Sequence, residues 1–352
     1  MTRNHWLELS NDIRYNQHFD VCVHHDNIVL INRSTMKTIY AAMFNINTHT
    51  FQSLPRCPFD VTPCRGTILH GYLYVTQLNI QRVYRLDLYE CKHWEFMGHF
   101  QQKSFKIIST GNNIFSFGIL GTNWVYHFIS NKWERIPRMS IYRDSYGIVA
   151  IDNKIYIIGG YRVSEEGHFS NEVLSSVEVY DAETRKYTNV TDLPIPLGCT
   201  AAAVYQNRWI VVTGGKSLHF VESRDCYIYD TQRLDWASGK IRLRINRCNH
   251  GCAVVGDQII LVGGVLSSSL PNSQVSFMES IDIAHILPNW YILRHFILLR
   301  WLVDRHRAHA RIDNDDPSCH SKYQLLHLTV NQMMLILDMD PFRAVLSFLI
   351  PR

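Results

Sequence analysis

The sequence predicts an all-β protein assembled from repeated four-stranded units, and three observations point there. One phrase recurs: "NKIYIIGGY" at 153–161, "NRWIVVTGGK" at 207–216 and "DQIILVGGV" at 257–265. Each is a polar turn, an apolar β-run and a glycine pair. The text after each pair repeats too, with an alternating run, an Asp (Asp181, Asp230, Asp282) and then an aromatic (Tyr187, Trp236, Trp290). Weaker copies precede these three, so that the closing aromatics Phe51, Trp94, Trp133, Tyr187, Trp236 and Trp290 stand 43, 39, 54, 49 and 54 residues apart. A period in that range is the signature of propeller blades.

Each element has a local reason. The polar turns "HDN", "HG", "GNN", "DNK", "QNR" and "GDQ" separate two short apolar runs, the pattern of a hairpin. Four short strands joined by such hairpins make one blade. Blade strands must bend where loops and neighbouring blades crowd together. The pairs Gly159-Gly160, Gly214-Gly215 and Gly263-Gly264 suit that place, because glycine tolerates close backbone approach and positive φ. The aromatics Trp94, Trp133, Tyr187 and Trp236 are large enough to fill the wedge between adjacent blades.

The glycine pairs, the Tyr-Asp at 180–181 and 229–230, and the aromatic six residues beyond each Asp resemble the kelch repeat. The resemblance covers roughly residues 18–293, strongly in the last three repeats. It implies a kelch-type β-propeller of four-stranded antiparallel blades over residues 18–295, with six blades favoured and seven as the alternative. Residues 1–17 then form an N-terminal segment. Within it "NHWLEL", with Trp6 in the aromatic position, is a candidate ring-closing strand that removes an exposed edge. Residues 296–352 form a C-terminal extension of open structure, whose run "HLTVNQMMLILDMD" (327–340) keeps a split seventh blade in play.

Composition narrows the function. With 46% hydrophobic and 19% charged residues, the chain of 352 residues has the make-up of a soluble globular protein. A formal charge of +4 does not predict nucleic-acid binding, which needs a concentrated basic face. Nine cysteines without a Cys-x-x-Cys motif read as reduced thiols of an intracellular, cytoplasmic protein. No signal peptide is expected at the N-terminus, and Arg294, His295 and Arg300 interrupt the apolar stretch 290–303, so no membrane span is expected. No spacing calls for a metal or another cofactor.

The loops after the glycine pairs are long ("YRVSEEGHFSNEVL", "KSLHFVESR", "VLSSSLPNSQV"), whereas the hairpin turns are short. Long loops on one face of a rigid scaffold are where recognition resides. The blade-to-blade loops are basic, with Arg56, Arg65, Lys103, Lys106, Arg138, Arg143, Arg242, Arg244 and Arg247 opposed by Asp60 and Asp144. The resemblance implies an adaptor that holds a protein or acidic peptide partner on this face. Arg65, Arg143 and Arg247 are then the carboxylate-binding candidates, joined by Tyr161, Arg162 and Lys216 behind the glycine pairs. The competing reading is that the arginines pair internally. The resemblance also raises a role as a ubiquitin-ligase component, without a BTB or F-box region in the 17 residues before the first repeat. No catalytic constellation is recognisable, so a binding module is favoured over an enzyme. The alternative is a carbohydrate-active protein resembling sialic-acid mutarotases, for which Glu222, His219 and Arg224 share one loop.

Overall fold

The alternation of apolar runs and polar turns produces six antiparallel sheets of four strands each among the described residues. The computed structural model describes residues 7–10, 19–32, 41–57, 64–77, 82–99, 106–118, 122–218, 221–239, 242–266 and 278–286. The first sheet runs Phe19–His24, Asn27–Asn32, Ala41–Asn45 and Thr50–Ser53. The second runs Cys64–Leu69, Tyr72–Gln77, Arg82–Asp87 and Trp94–His99, and the third Lys106–Thr110, Asn113–Phe117, Asn123–His127 and Lys132–Ile136. The fourth is Gly147–Ile151, Lys154–Ile158, Val177–Asp181 and Lys186–Val190. The fifth is Ala201–Tyr205, Trp209–Thr213, Cys226–Asp230 and Asp235–Ser238. In the sixth, Gly251–Val255, Gln258–Val262 and Met278–Asp282 are joined by the N-terminal strand Leu7–Ser10, which pairs with Met278–Asp282. Trp6, Trp290, the extension 296–352 and the run at 327–340 lie outside the described residues.

The innermost strand of each sheet packs beside that of the next, and Gly251–Val255 of the sixth returns to Phe19–His24 of the first. This closed circuit is the arrangement of a β-propeller. The core lies between consecutive sheets: Val149, Tyr156, Val177 and Val179 of the fourth share one buried cluster with Ile210, Val212 and Tyr227 of the fifth. The chain divides into two compact units, Met1–Leu287 and Pro288–Arg352, and the described residues all belong to the first. Among them no helix is long and apolar enough to cross a membrane.

The repeated Asp closes the turn between third and fourth strands. Asp181 Oδ1 accepts the amides of Glu183 (3.0 Å) and Thr184 (2.9 Å). Asp87 Oδ1 accepts those of Tyr89 and Glu90 (2.8 and 3.1 Å), and Asp230 Oδ1 that of Gln232 (3.0 Å). Asn45 does the same in the first sheet, toward Asn47 and Thr48. These are side-chain mimics of a backbone turn.

The closing aromatic performs two tasks. It pairs across strands with the aromatic directly opposite, as Tyr126 with Trp133, Tyr180 with Tyr187 and Tyr229 with Trp236, at 4.9–5.1 Å between ring centroids. It also bolts its sheet to the one before. Trp94 Nε1 donates to the Pro55 carbonyl (2.9 Å), Tyr187 Oη to that of Pro137 (3.2 Å) and Trp236 Nε1 to that of Thr191 (2.8 Å). Each acceptor lies just past the last strand of the preceding sheet.

Candidate interaction face

The glycine pair forms the joint on which one face of the propeller is built. Gly159 and Gly160 have φ of 61° and 101°. A Cβ on Gly159 would stand 2.2 Å from the Leu197 carbonyl oxygen, which belongs to the linker into the next sheet. That same oxygen accepts the Gly160 amide at 2.9 Å, and the Arg247 carbonyl accepts the Gly215 amide at 2.9 Å one sheet later. Only a residue without a side chain lets the linker close so tightly on the end of a strand.

Arg143 and Arg247 lie beneath this joint. Both are fully buried. Arg143 Nη1 donates to the carbonyls of Gly159 and Ser176, each at 2.9 Å, and its Nη2 lies 3.7 Å from Glu178 Oε2. Arg247 Nη1 donates to the Gly263 carbonyl at 3.2 Å, and its Nη2 reaches Glu279 Oε1 at 2.5 Å. The expectation that these two arginines meet a ligand is corrected here. Their Nη groups are turned to strand-end carbonyls and a buried carboxylate, and neither guanidinium is exposed. Burial pushes the Glu178 carboxyl up, against the opposing pull of Arg143.

The linkers then turn into the innermost strands through Ser145, Cys199 and Asn249, each with φ of 53–55°. These positions are strung together by main-chain hydrogen bonds, from the Cys199 amide to the Ser145 carbonyl (2.7 Å) and from the Asn249 amide to the Cys199 carbonyl (3.0 Å). They rim a central cavity of about 310 Å³ lined by all six innermost strands. Arg65 and Lys106 supply its cations, Asp20 and Asp144 its anions, and Thr67, Ser109, Ser145 and Thr200 its hydroxyls. Arg65 Nη1 stands 3.7 Å from Asp20 Oδ1.

Arg65 is not the counterpart of the other two arginines. It lies four residues before the strand end at Leu69, as Gly147 lies four before Ile151 and Gly251 four before Val255. Its side chain lines the cavity, whereas Arg143 and Arg247 stop short of it.

Two loops that follow glycine pairs start from the same end of their sheets. In the fourth sheet the loop folds into a small sheet of its own, Arg143–Asp144, Tyr161–Val163 and Phe169–Val173. Tyr161 packs its ring on Gly198, where a Cβ would lie 2.4 Å from the ring, and burial pushes its phenol up. Arg162 Nε donates to Glu172 Oε2 at 2.6 Å on the surface. In the fifth sheet Lys216 is buried; it bridges through its backbone to Gly198 and Glu222, and its Nζ lies 3.7 Å from Glu222 Oε1. Residues 107–264, which include both of these loops, match the family described as the KLHDC2/KLHL20/DRC7 Kelch-repeats domain. Over these residues the chain carries kelch repeats.

Similar kelch proteins include beta-scruin of Limulus polyphemus, 29% identical over 46% of this chain and 17% of its own length. Kelch-like protein 25 of Xenopus tropicalis is 29% identical over 45% of this chain and 27% of its own length. An F-box/kelch-repeat protein of Arabidopsis thaliana is 32% identical over 33% of this chain and 29% of its own length. The chain therefore matches less than a third of the length of each of these relatives. The kelch repeats themselves point to a protein-interaction module.

Two further placements bear on the kelch domain's chemistry. Of the loop trio Glu222, His219 and Arg224, His219 lies outside the described residues, while Arg224 Nε donates to the Leu243 carbonyl at 2.9 Å. Neither Glu222 nor Arg224 lines the central cavity. Among the described residues no group of three or more His, Cys, Asp or Glu is placed to hold a metal ion. What sequence reasoning missed is apolar: Phe169 is 66%, Leu218 52% and Val221 59% exposed, all in the two loops that follow glycine pairs. Their signal was large apolar residues in otherwise polar loops.

Proposed function

We propose that the chain is a binding module that holds a partner protein on the loop face, working as an adaptor rather than as an enzyme. The observation that carries this reading is the exposure of Phe169, Leu218 and Val221 on the loops that follow the glycine pairs of two adjoining sheets. Exposed apolar groups gathered on a rigid face mark interaction sites, whereas single ones scattered over a surface need no explanation. Val23, Phe51, Tyr89, Phe96, Ile129 and Leu234 are exposed as well, beside tight turns or on outer strands rather than on these loops.

The charge around the mouth is balanced. Arg65 and Lys106 face Asp20 and Asp144, and Arg162 is offset by Glu172. With Arg143 and Arg247 turned inward, apolar anchors replace carboxylate binding as the main source of affinity, so selection for an acidic peptide is not part of this proposal. The module works in a reducing compartment of the cell. Eight described cysteines are free thiols, and burial pushes those of Cys57, Cys248 and Cys252 up to about 12, which keeps them protonated and inert.

The test is affinity capture from cell extract with the intact chain, compared with a Phe169→Ser/Leu218→Ser/Val221→Ser variant and with a Tyr89→Ser/Ile129→Ser variant of the opposite face. Captured proteins should be lost with the first and kept with the second, at unchanged melting temperature. Equal capture by all three would overturn the assignment of the face.

A further inference from the structure

The linkers into the fourth, fifth and sixth sheets share one burial pattern. In 138–143, 192–197 and 242–247 alike, the second and sixth residues are buried and the first and third exposed. The buried second residue is anchored the same way in the last two. The Leu193 amide donates to the Ser175 carbonyl at 2.9 Å, and the Leu243 amide to the Arg224 carbonyl at 2.8 Å. Ser175, Asp192 and Pro194 therefore match Arg224, Arg242 and Arg244 position for position. The first trio is neutral or acidic, with Ser175 Oγ donating to Asp192 Oδ2 at 3.1 Å. The second is three exposed arginines. Since one junction closes with serine, aspartate and proline, its geometry does not call for arginine at the other.

Backbone and side chains gather the three. Arg224 Nε donates at 2.9 Å to the carbonyl of Leu243, the residue between Arg242 and Arg244, and Arg242 Nε stands 2.8 Å from Asp225 Oδ1. Among the described residues of loop 216–225 and linker 242–247, with Glu279 beneath them, Lys216, Arg224, Arg242, Arg244 and Arg247 stand against Glu222, Asp225 and Glu279. The excess is two positive charges. None of the three exposed arginines lines the central cavity, so this excess lies apart from the balanced charge there. Exposed Val221 comes three residues before Arg224, a reach of about 10 Å at most. Leu218 shares its loop tip, which the Ser217 amide closes on the Val221 carbonyl at 2.9 Å.

We infer that the cluster of Arg224, Arg242 and Arg244 receives a phosphorylated serine or threonine of the partner protein, with apolar residues of the same segment on Leu218 and Val221. The inference rests on the proposed interaction face and specifies the chemistry of what binds there. A phosphate monoester carries about −1.5 to −2 charges at pH 7 and presents three acceptor oxygens. That matches the excess of two, whereas a single carboxylate matches half of it. Guanidinium forks bind phosphate through two parallel hydrogen bonds, a geometry lysine does not offer. The apolar side chains beside the cluster favour a protein segment over a nucleic-acid backbone or a free phosphate.

The probe is an immobilised library of short peptides with phosphoserine fixed at the centre and the other positions varied. It is incubated with the intact chain beside matched libraries that fix serine or glutamate instead. The phosphoserine library should retain at least about tenfold more protein than the serine library, with glutamate between them. It should select apolar residues within about three positions of the phosphate and release protein as salt is raised. The variant Arg224→Ser/Arg242→Asp/Arg244→Pro gives this junction its neighbour's residues, so it should keep its melting temperature and fall to the level of the serine library. The library comparison involves no change to the protein, so it decides the question even where the variant fails to fold. Equal retention by the phosphoserine library and either control overturns the inference. So does undiminished retention of the folded triple variant, or tighter binding to a single-stranded oligonucleotide than to any phosphoserine peptide. Capture from extract that is lost with the Phe169/Leu218/Val221 variant, yet survives phosphatase treatment of the extract, would leave the interaction face standing and reject the phosphate alone.

Discussion

The Arg143 guanidinium donates to the Gly159 carbonyl at 2.9 Å in a site with no solvent access, and Glu178 lies on its other side. The sixth sheet repeats the arrangement with Arg247, Gly263 and Glu279. The fifth does not. There Leu197 occupies the arginine's position, two residues before the positive-φ Cys199 as Arg143 and Arg247 are before Ser145 and Asn249, and Tyr227 occupies the glutamate's, opposite the residue two before the glycine pair; both are buried. One joint of the propeller is thus made twice with a buried ion pair and once with an apolar pair.

This substitution within the chain makes a prediction. Arg143→Ala should cost about 3–5 kcal/mol, because it strands a buried carboxylate and two carbonyls. The double variant Arg143→Leu/Glu178→Tyr copies the fifth sheet and should recover most of that loss, since apolar replacement of a buried ion pair is often near neutral. Urea melts of the two variants decide it. A double variant no more stable than Arg143→Ala would mean that the two solutions are not interchangeable at this joint.

The N-terminal strand gives a second prediction. Leu7–Ser10 supplies the fourth strand of the sixth sheet, with Leu7 opposite Ser280 and Glu8 opposite Glu279. Deleting residues 1–10 exposes the edge of Met278–Asp282 and uncovers apolar surface. The melting temperature should fall clearly and the sample should aggregate more readily. An unchanged melt would show that the pairing contributes nothing to stability.

Acid should act through the turn aspartates. Amides of Thr184 and Glu183 hold Asp181 below the ordinary aspartate value near 3.8. Burial alone would raise Asp230, yet Arg208 and the Gln232 amide outweigh it and hold it low as well. A folded-state value below the unfolded one means that the stabilisation is complete above about pH 4 and is lost as the pH falls through the lowered values. Asp181→Asn keeps the turn acceptor, as Asn45 does in the first sheet, and removes the titration. Its melting temperature should match the parent at pH 7 and fall less steeply below pH 4. A curve parallel to the parent's would place the acid sensitivity elsewhere.

The repeat, the glycine joints and the closing aromatics were legible in the sequence, because each follows from local pattern: period, a residue without Cβ, a ring opposite a ring. The arginines were not read correctly, because their burial depends on partners far along the chain. The signal was present all the same. Glu178 and Glu279 stand inside alternating β-runs where the fifth repeat has Tyr227, and they accompany Arg143 and Arg247 where that repeat has Leu197. The exposure of Phe169, Leu218 and Val221 had only the weak signal of large apolar residues in polar loops, since which of them stay exposed follows from how those loops fold.

The interaction face itself is tested most directly by amide hydrogen exchange on the intact chain, free and in the complex recovered by capture. Binding on the loop face predicts protection across 161–173 and at 217–218 and 221–224. Protection confined instead to the opposite turns at 25–26, 89–90, 183–184 and 232–233, with those loops exchanging as in the free chain, would contradict it.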